Sequence, residues 1–244
     1  MEDRPRKILL IKIMFITNII SLVLLIVVLM HYNIPGKIAL KVSGAYHRNY
    51  TNYEIRNGLF SVYDQNMYKI IMLGDSIIEG AAWNELLGIQ CIANRGVSGD
   101  TTEGILARLP DIYKLNPEIC FLMTGINDIE NSVPAETIIN NMEIIIEELR
   151  SNGIQVITQS TIYAAKNIKN WKKMNAEIDK INFWLEEYSR GRNLLYIDIN
   201  KLLKSGNALN AEYTYDGIHL LAAGYQKWKD LLLPVIEKCR KQDR

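Results

Sequence analysis

Four short blocks of this chain carry side chains whose types and spacing suit nucleophilic chemistry. They are Gly74-Asp75-Ser76, "NRGVSGDTT" at 94–102, "GIND" at 125–128 and "YDGIHL" at 215–220. A serine hydroxyl becomes a useful nucleophile when a base takes its proton, and histidine is the side chain suited to that near neutral pH. The histidine in turn needs a carboxylate on its other nitrogen to set the tautomer and stabilise the imidazolium. Asp216 precedes His219 within one short segment, so a single turn can present both. Negative charge developing on a carbonyl oxygen needs donors already in place. The backbone N–H groups of Ser76 and Gly99 and the side-chain amide of Asn127 are the candidates. Jointly the blocks supply acyl transfer: Ser76, Asp216 and His219 for catalysis, and Ser76, Gly99 and Asn127 for an oxyanion hole.

Each block also has a plain structural reading. Gly-Asp is ordinary turn chemistry and Ser76 is a favoured helix N-cap. Gly96 and Gly99 fit turns, Asp100 or Thr101 fits a helix cap, and Asn127 with Asp128 can fold a loop. Asp216 and His219 can be a turn with a surface histidine.

The elements that must position these residues alternate. Apolar runs at 69–73, 90–94, 118–124, 154–158 and 194–199 predict strands, and apolar spacing at 77–87, 102–115, 134–151, 169–189 and 222–240 predicts helices. Pro134 suits a first helical turn and Gly153 follows that helix. The alternation predicts an α/β fold in three layers, a five-stranded parallel doubly wound sheet of the flavodoxin-like kind. In such a sheet the loops after the strands gather at the carboxyl edge, where ligands bind. Three of the four blocks directly follow predicted strands.

In this order and spacing the blocks resemble the SGNH or GDSL hydrolases, named for Ser, Gly, Asn and His. "NRGVSGDTT" with "ARLP", "GIND" and "DGIHL" is similar to the branch of lysophospholipase-like esterases, platelet-activating-factor acetylhydrolase-like enzymes and carbohydrate acetylesterases. The resemblance runs from about Lys69 to the C-terminus. It implies Ser76 as nucleophile, Gly99 and Asn127 as oxyanion donors, and Asp216 with His219 as the rest of the triad. Gly99, directly before an Asp-Thr pair, matches the family's glycine better than Gly96. Ile77 replaces the family's usual leucine, and "TQSTIYAAK" lacks a proline that related sequences carry. A G-x-S-x-G elbow is absent because Ile78 stands at its second glycine, and no phosphate-binding glycine pattern surrounds Ser76.

The remaining features bound the setting. The chain has 244 residues and a net charge of +1, which gives no sign of a nucleic-acid partner. Its three cysteines lack disulfide or metal spacing, and no metal or organic cofactor is implied. The run at 8–30 holds a single charge, Lys12, and as a helix would reach about 35 Å, enough to cross a bilayer. Arg4, Arg6 and Lys7 flank it and favour a cytoplasmic N-terminus with the remainder outside. A cleaved signal peptide is the competing reading, with "VSGA" at 42–45 as its site. The predicted organisation is a tail at 1–7, a transmembrane signal anchor at 8–30, a connector at 31–67 with a short packing helix around Tyr53, Arg56, Leu59 and Phe60, and a hydrolase domain at 68–244.

The leading functional expectation is a membrane-anchored serine esterase removing short acyl groups, acetyl foremost, from a carbohydrate or other cell-envelope ester. A second is a lysophospholipase or thioesterase, with Trp83, Tyr213 and Tyr215 either lining an acyl channel or packing beside the site. The third is a binding module that keeps the fold without the chemistry. Nothing in the sequence sets the oligomeric state.

Overall fold

Five strands form one sheet in the order β2-β1-β3-β4-β5, every neighbouring pair parallel. They are β1 (Ile70–Gly74), β2 (Ile92–Gly96), β3 (Ile119–Met123), β4 (Gln155–Gln159) and β5 (Leu195–Ile197). The computed structural model describes residues 50–63 and 68–242, together with Phe15, 17–19, 21–25 and Val27. Strand order reverses direction at β1 and β3, so the crevice between their carboxyl ends is where such a sheet holds its ligand.

Every residue of β1 and β3 is buried, as expected for strands covered on both faces. Alternation then sorts them. Ile70 and Met72 join a core with Trp83, Trp228 and Leu232 on one face, while Ile71 and Leu73 join Ile105, Leu109 and Leu149 on the other. The covering helices include α2 (Ser76–Glu79), α3 (Trp83–Leu87), α4 (Thr102–Tyr113), α5 (Ile126–Glu130), α6 (Ala135–Ser151), α7 (Trp171–Gly191), α8 (Asn200–Leu203) and α9 (Ala222–Gln242). The three-layer architecture and its five parallel strands match the sequence expectation.

Three local differences have physical causes. The predicted helix 77–87 is two, α2 and α3, broken around Gly80. The carbonyls freed there are satisfied from outside: Trp83 Nε1 donates to Ile78 O at 2.8 Å, and Asn94 Nδ2 donates to Ile78, Glu79 and Ala81 O at 2.9–3.1 Å. The second difference is a shift of β2 to Ile92–Gly96 from the predicted 90–94, because Arg95 and Gly96 pair with Leu73 and Gly74 of β1. The third difference is a two-stranded hairpin, β6 (Lys204–Ser205) with β7 (Ala208–Leu209), too short to show a period.

A helix preceding β1, α1 (Tyr50–Val62), falls within the region read as a connector. Tyr53 Oη donates to Gly104 O at 3.2 Å, Arg56 Nε donates to Gly96 O at 3.3 Å, and Phe60 is buried under the Arg95 guanidinium. Leu59, expected on the packing face, is exposed. The compact unit that runs from Arg48 to Arg244 includes α1.

Among the described residues, no helix is long and apolar enough to cross a membrane. The predicted tail at 1–7, most of the predicted anchor at 8–30 and connector residues 31–49 lie outside the described residues. Those of 8–30 that are described are helical with exposed side chains.

Candidate active site

Gly74 ends β1, and the chain turns at once into α2. Asp75, not Ser76, caps that helix: its Oδ1 accepts the Ile77 N–H at 2.9 Å. Ser76 is therefore the first helical residue, with its backbone N–H at the positive helix end. Such a tight turn requires close approach to the neighbouring strand. A Cβ on Gly96 would lie 2.2 Å from Glu79 N, so Gly96 is the space that lets α2 sit against β2.

The segment before α9 brings the base. Asp216 Oδ1 accepts the N–H groups of Ile218 and His219 at 2.9 and 2.8 Å, which closes the turn. Its Oδ2 lies 2.6 Å from His219 Nδ1, and His219 Nε2 lies 2.9 Å from Ser76 Oγ. Burial works to raise the Asp216 pKa, but the bonds from the His219 ring and from the two backbone N–H groups outweigh it and hold it below its ordinary value. An ionised Asp216 on Nδ1 favours a proton there, leaving Nε2 to accept one from Ser76. The three side chains form a continuous hydrogen-bonded path, the arrangement that lets a hydroxyl lose its proton as it attacks.

The other two loops follow the strands on either side of β1 and are tied to each other. Gly99 follows β2 with φ +74, and Asn127 lies in α5 just after β3. Asn127 Nδ2 donates to Asp100 O at 2.8 Å, so the amide is tied to the residue after Gly99. An amide nitrogen carries two protons, and this bond uses one of them.

Under these loops lies a set of buried charges that sequence reasoning did not assign. Arg108, the arginine of "ARLP", donates to Asp100 Oδ2 at 2.8 Å and to Gly74 O and Arg95 O at 3.0 and 2.9 Å. One guanidinium thus gathers the ends of β1 and β2 and the Gly99 loop. Asp128 accepts both the N–H and the hydroxyl of Thr102 and so anchors the start of α4. Burial pushes the Asp128 carboxyl up to about 6 and that of Asp75 up to about 7, the latter also through repulsion from Asp100 and Asp128.

A cleft of about 360 Å³ opens over Ser76, lined by Glu79, Gly80, Ser98, Tyr215, His219, Leu220 and Tyr225. Of the three aromatics read as candidate substrate contacts, Tyr215 lines it, exposed and stacked on His219 with ring centroids 5.8 Å apart. Trp83 and Tyr213 do not. Trp83 is 1% exposed, edge-on to Trp228 at 5.0 Å, and Tyr213 packs against the core while its carbonyl accepts the Leu221 N–H. Trp83 is a packing residue because α9 sets Tyr225 and Trp228 against it. The cleft residues Glu79, Ser98 and Tyr225 went unnoticed in the sequence. Glu79 carried one signal, since it stands one helical turn after Ser76.

A parallel sheet bears this serine, histidine and aspartate at its carboxyl edge, an arrangement suited to acyl transfer, and the family match makes the chain a carboxylic-ester hydrolase. The chain belongs to the GDSL-like Lipase/Acylhydrolase family, which residues 72–227 match. It is similar to the N-acylneuraminate cytidylyltransferase of Streptococcus agalactiae serotype V, 28% identical over 183 residues, covering 72% of this chain and 42% of that protein. The chain therefore spans less than half the length of that relative. It is 23% identical over 167 residues to the human platelet-activating factor acetylhydrolase IB subunit alpha2, covering 65% of this chain and 71% of the relative. Among solved structures it is similar to a GDSL-like lipase from Bacteroides thetaiotaomicron VPI-5482, with a TM-score of 0.69, 25% identity and coverage of 77% of this chain and 98% of that one.

Proposed function

We propose that the protein is a membrane-anchored serine esterase that removes short acyl groups, acetyl foremost, from a carbohydrate or other cell-envelope ester. The observation that carries this reading is the path Ser76 Oγ to His219 Nε2 at 2.9 Å and His219 Nδ1 to Asp216 at 2.6 Å. Ser76 Oγ attacks the ester carbonyl and its proton passes to His219. The oxyanion is met by the N–H groups of Ser76 and Gly99 and by Asn127 Nδ2. Collapse expels the alcohol, which takes the proton from His219, and water then releases the acid by the reverse use of the same base.

The size of the cleft supports a short acyl group, and so does the name of the acetylhydrolase relative. The burial of Trp83 removes one wall that a long acyl channel would have used. A sugar alcohol fits the exposed Tyr215 ring at the mouth, and one relative is named for a sugar, N-acylneuraminate. The anchor rests on the apolar run at 8–30 and its basic flank.

Full-length protein in detergent is expected to hydrolyse p-nitrophenyl acetate faster than the decanoate, and Ser76→Ala to abolish both activities. Persistent activity in Ser76→Ala, or a steep preference for decanoate, would defeat the respective half of the proposal. Anchoring predicts that the protein stays with membranes after an alkaline wash; release into the wash would refute it.

A further inference from the structure

Glu79 lines the cleft, yet its carboxylate bonds away from the reacting pair. Oε2 accepts both the backbone N–H and the hydroxyl of Ser98, at 2.6 and 2.7 Å. Oε1 faces Arg56 Nε of α1 at 3.5 Å, and that guanidinium also donates to Gly96 O. With Oε2 occupied by two Ser98 donors, Glu79 is poorly placed to act as a base. A negative charge beside a developing oxyanion is also unfavourable unless it performs some other task, and Arg56 offsets part of that charge.

The task is visible in the turn it grips. Asp100 N donates to Val97 O at 3.1 Å, and Gly99, the third residue of that turn, has φ +74. This combination marks a type II turn. Types I and II differ by a flip of the central peptide, here Ser98–Gly99, which carries the Gly99 N–H to the opposite face. Glycine makes the type II form inexpensive but does not exclude the other. Two bonds from one carboxylate to Ser98 hold its N–H and its side chain, and so anchor the corner of the turn from which the Ser98–Gly99 peptide leaves.

We propose that Glu79 is a positioning residue of the oxyanion hole, holding the Ser98–Gly99 peptide so that the Gly99 N–H faces the reacting carbonyl oxygen, with Arg56 of α1 bracing the carboxylate from behind. The inference rests on the proposed oxyanion role of Gly99 and the proposed nucleophile Ser76.

The test is kinetic, with p-nitrophenyl acetate and full-length protein. Loss of a whole oxyanion donor costs about 10²–10³ in kcat, so misdirecting one in Glu79→Ala is expected to lower kcat roughly 10- to 100-fold with KM held within about 2-fold. Affinity for a tetrahedral boronate analogue should fall by the same factor as kcat, which a merely structural role would not produce. Glu79→Gln keeps one carbonyl oxygen able to accept both Ser98 donors, without the charge, and should recover part of the loss. Ser98→Ala keeps the N–H bond and should cost only a few-fold, and it serves as the second variant if Glu79→Ala does not fold. Unchanged kcat, or a loss confined to KM, overturns the positioning role. Ser76→Ala is measured alongside: activity remaining there overturns the nucleophile and this inference with it. Loss there with wild-type kcat in the Glu79 and Ser98 variants overturns the positioning role alone.

Discussion

Two aspartates flank the reacting pair in the same local motif and in opposite environments. Asp75 Oδ1 accepts the N–H two residues on, and Asp216 Oδ1 does the same. Asp75 is fully buried beside Asp100 and Asp128, its Oδ2 has no partner among the described residues, and its pKa is pushed up to about 7. Asp216 keeps a side chain 39% exposed, gives its second oxygen to His219, and is held below its ordinary pKa. One carboxyl is thus driven toward neutrality by burial, and the other toward charge by donors. The same turn chemistry can shape a backbone or orient a base, and the destination of the second oxygen decides which.

The largest expected effect tests that contrast directly. Asp216→Asn preserves the turn but favours the wrong tautomer of His219, and a loss of about 10⁴ in kcat is expected with little change in melting temperature. A loss below tenfold, measured by steady-state kinetics, would place Asp216 with Asp75 as a turn former. Asn127→Ala comes next, at about 10²–10³ in kcat, since one oxyanion donor disappears; an unchanged rate would remove this loop from the chemistry.

Asp75→Asn should do the reverse of Asp216→Asn, keeping kcat within about tenfold and changing how stability depends on pH. Because the folded-state pKa of Asp75 is raised, the folded protein holds more protons than the unfolded chain between about pH 4 and 7. Stability therefore falls as pH rises through that window. Replacing the carboxyl should remove roughly 2–4 kcal/mol of that fall, read by urea denaturation at a series of pH values, while Asp128 leaves a residual slope. An unaltered slope would mean that burial does not govern Asp75. The smallest effect is expected for Tyr215→Ala, where loss of an exposed ring over His219 should raise KM about 2- to 5-fold with sugar esters, in line with about 0.5–1 kcal/mol for such stacking.

Much of this was legible from residue types and periods. Strand runs such as "IIMLG" and the long amphipathic α6 declare themselves because burial on two faces or one stripe leaves a regular pattern. Asp216 and His219 could be paired because they share one turn. Asn94, Arg108 and Glu79 were not legible, because each bonds to a backbone atom or side chain brought near only by folding: Asn94 to the end of α2, Arg108 to Gly74 O, Glu79 to Ser98. Trp83 stayed open for the same reason: an aromatic near a site in sequence can face core or cleft, and the fold packs it on Trp228 of α9.

The sequence by itself determined the elements, their alternation and the residue types able to transfer an acyl group. These depend on short-range spacing, which a chain carries before it folds. Only the tertiary structure decided that Ser76 and His219, 143 residues apart, stand at hydrogen-bond distance. It also decided that α1 braces the second loop. Those outcomes depend on which groups lose water together and which donors reach them, and both are properties of the packed chain.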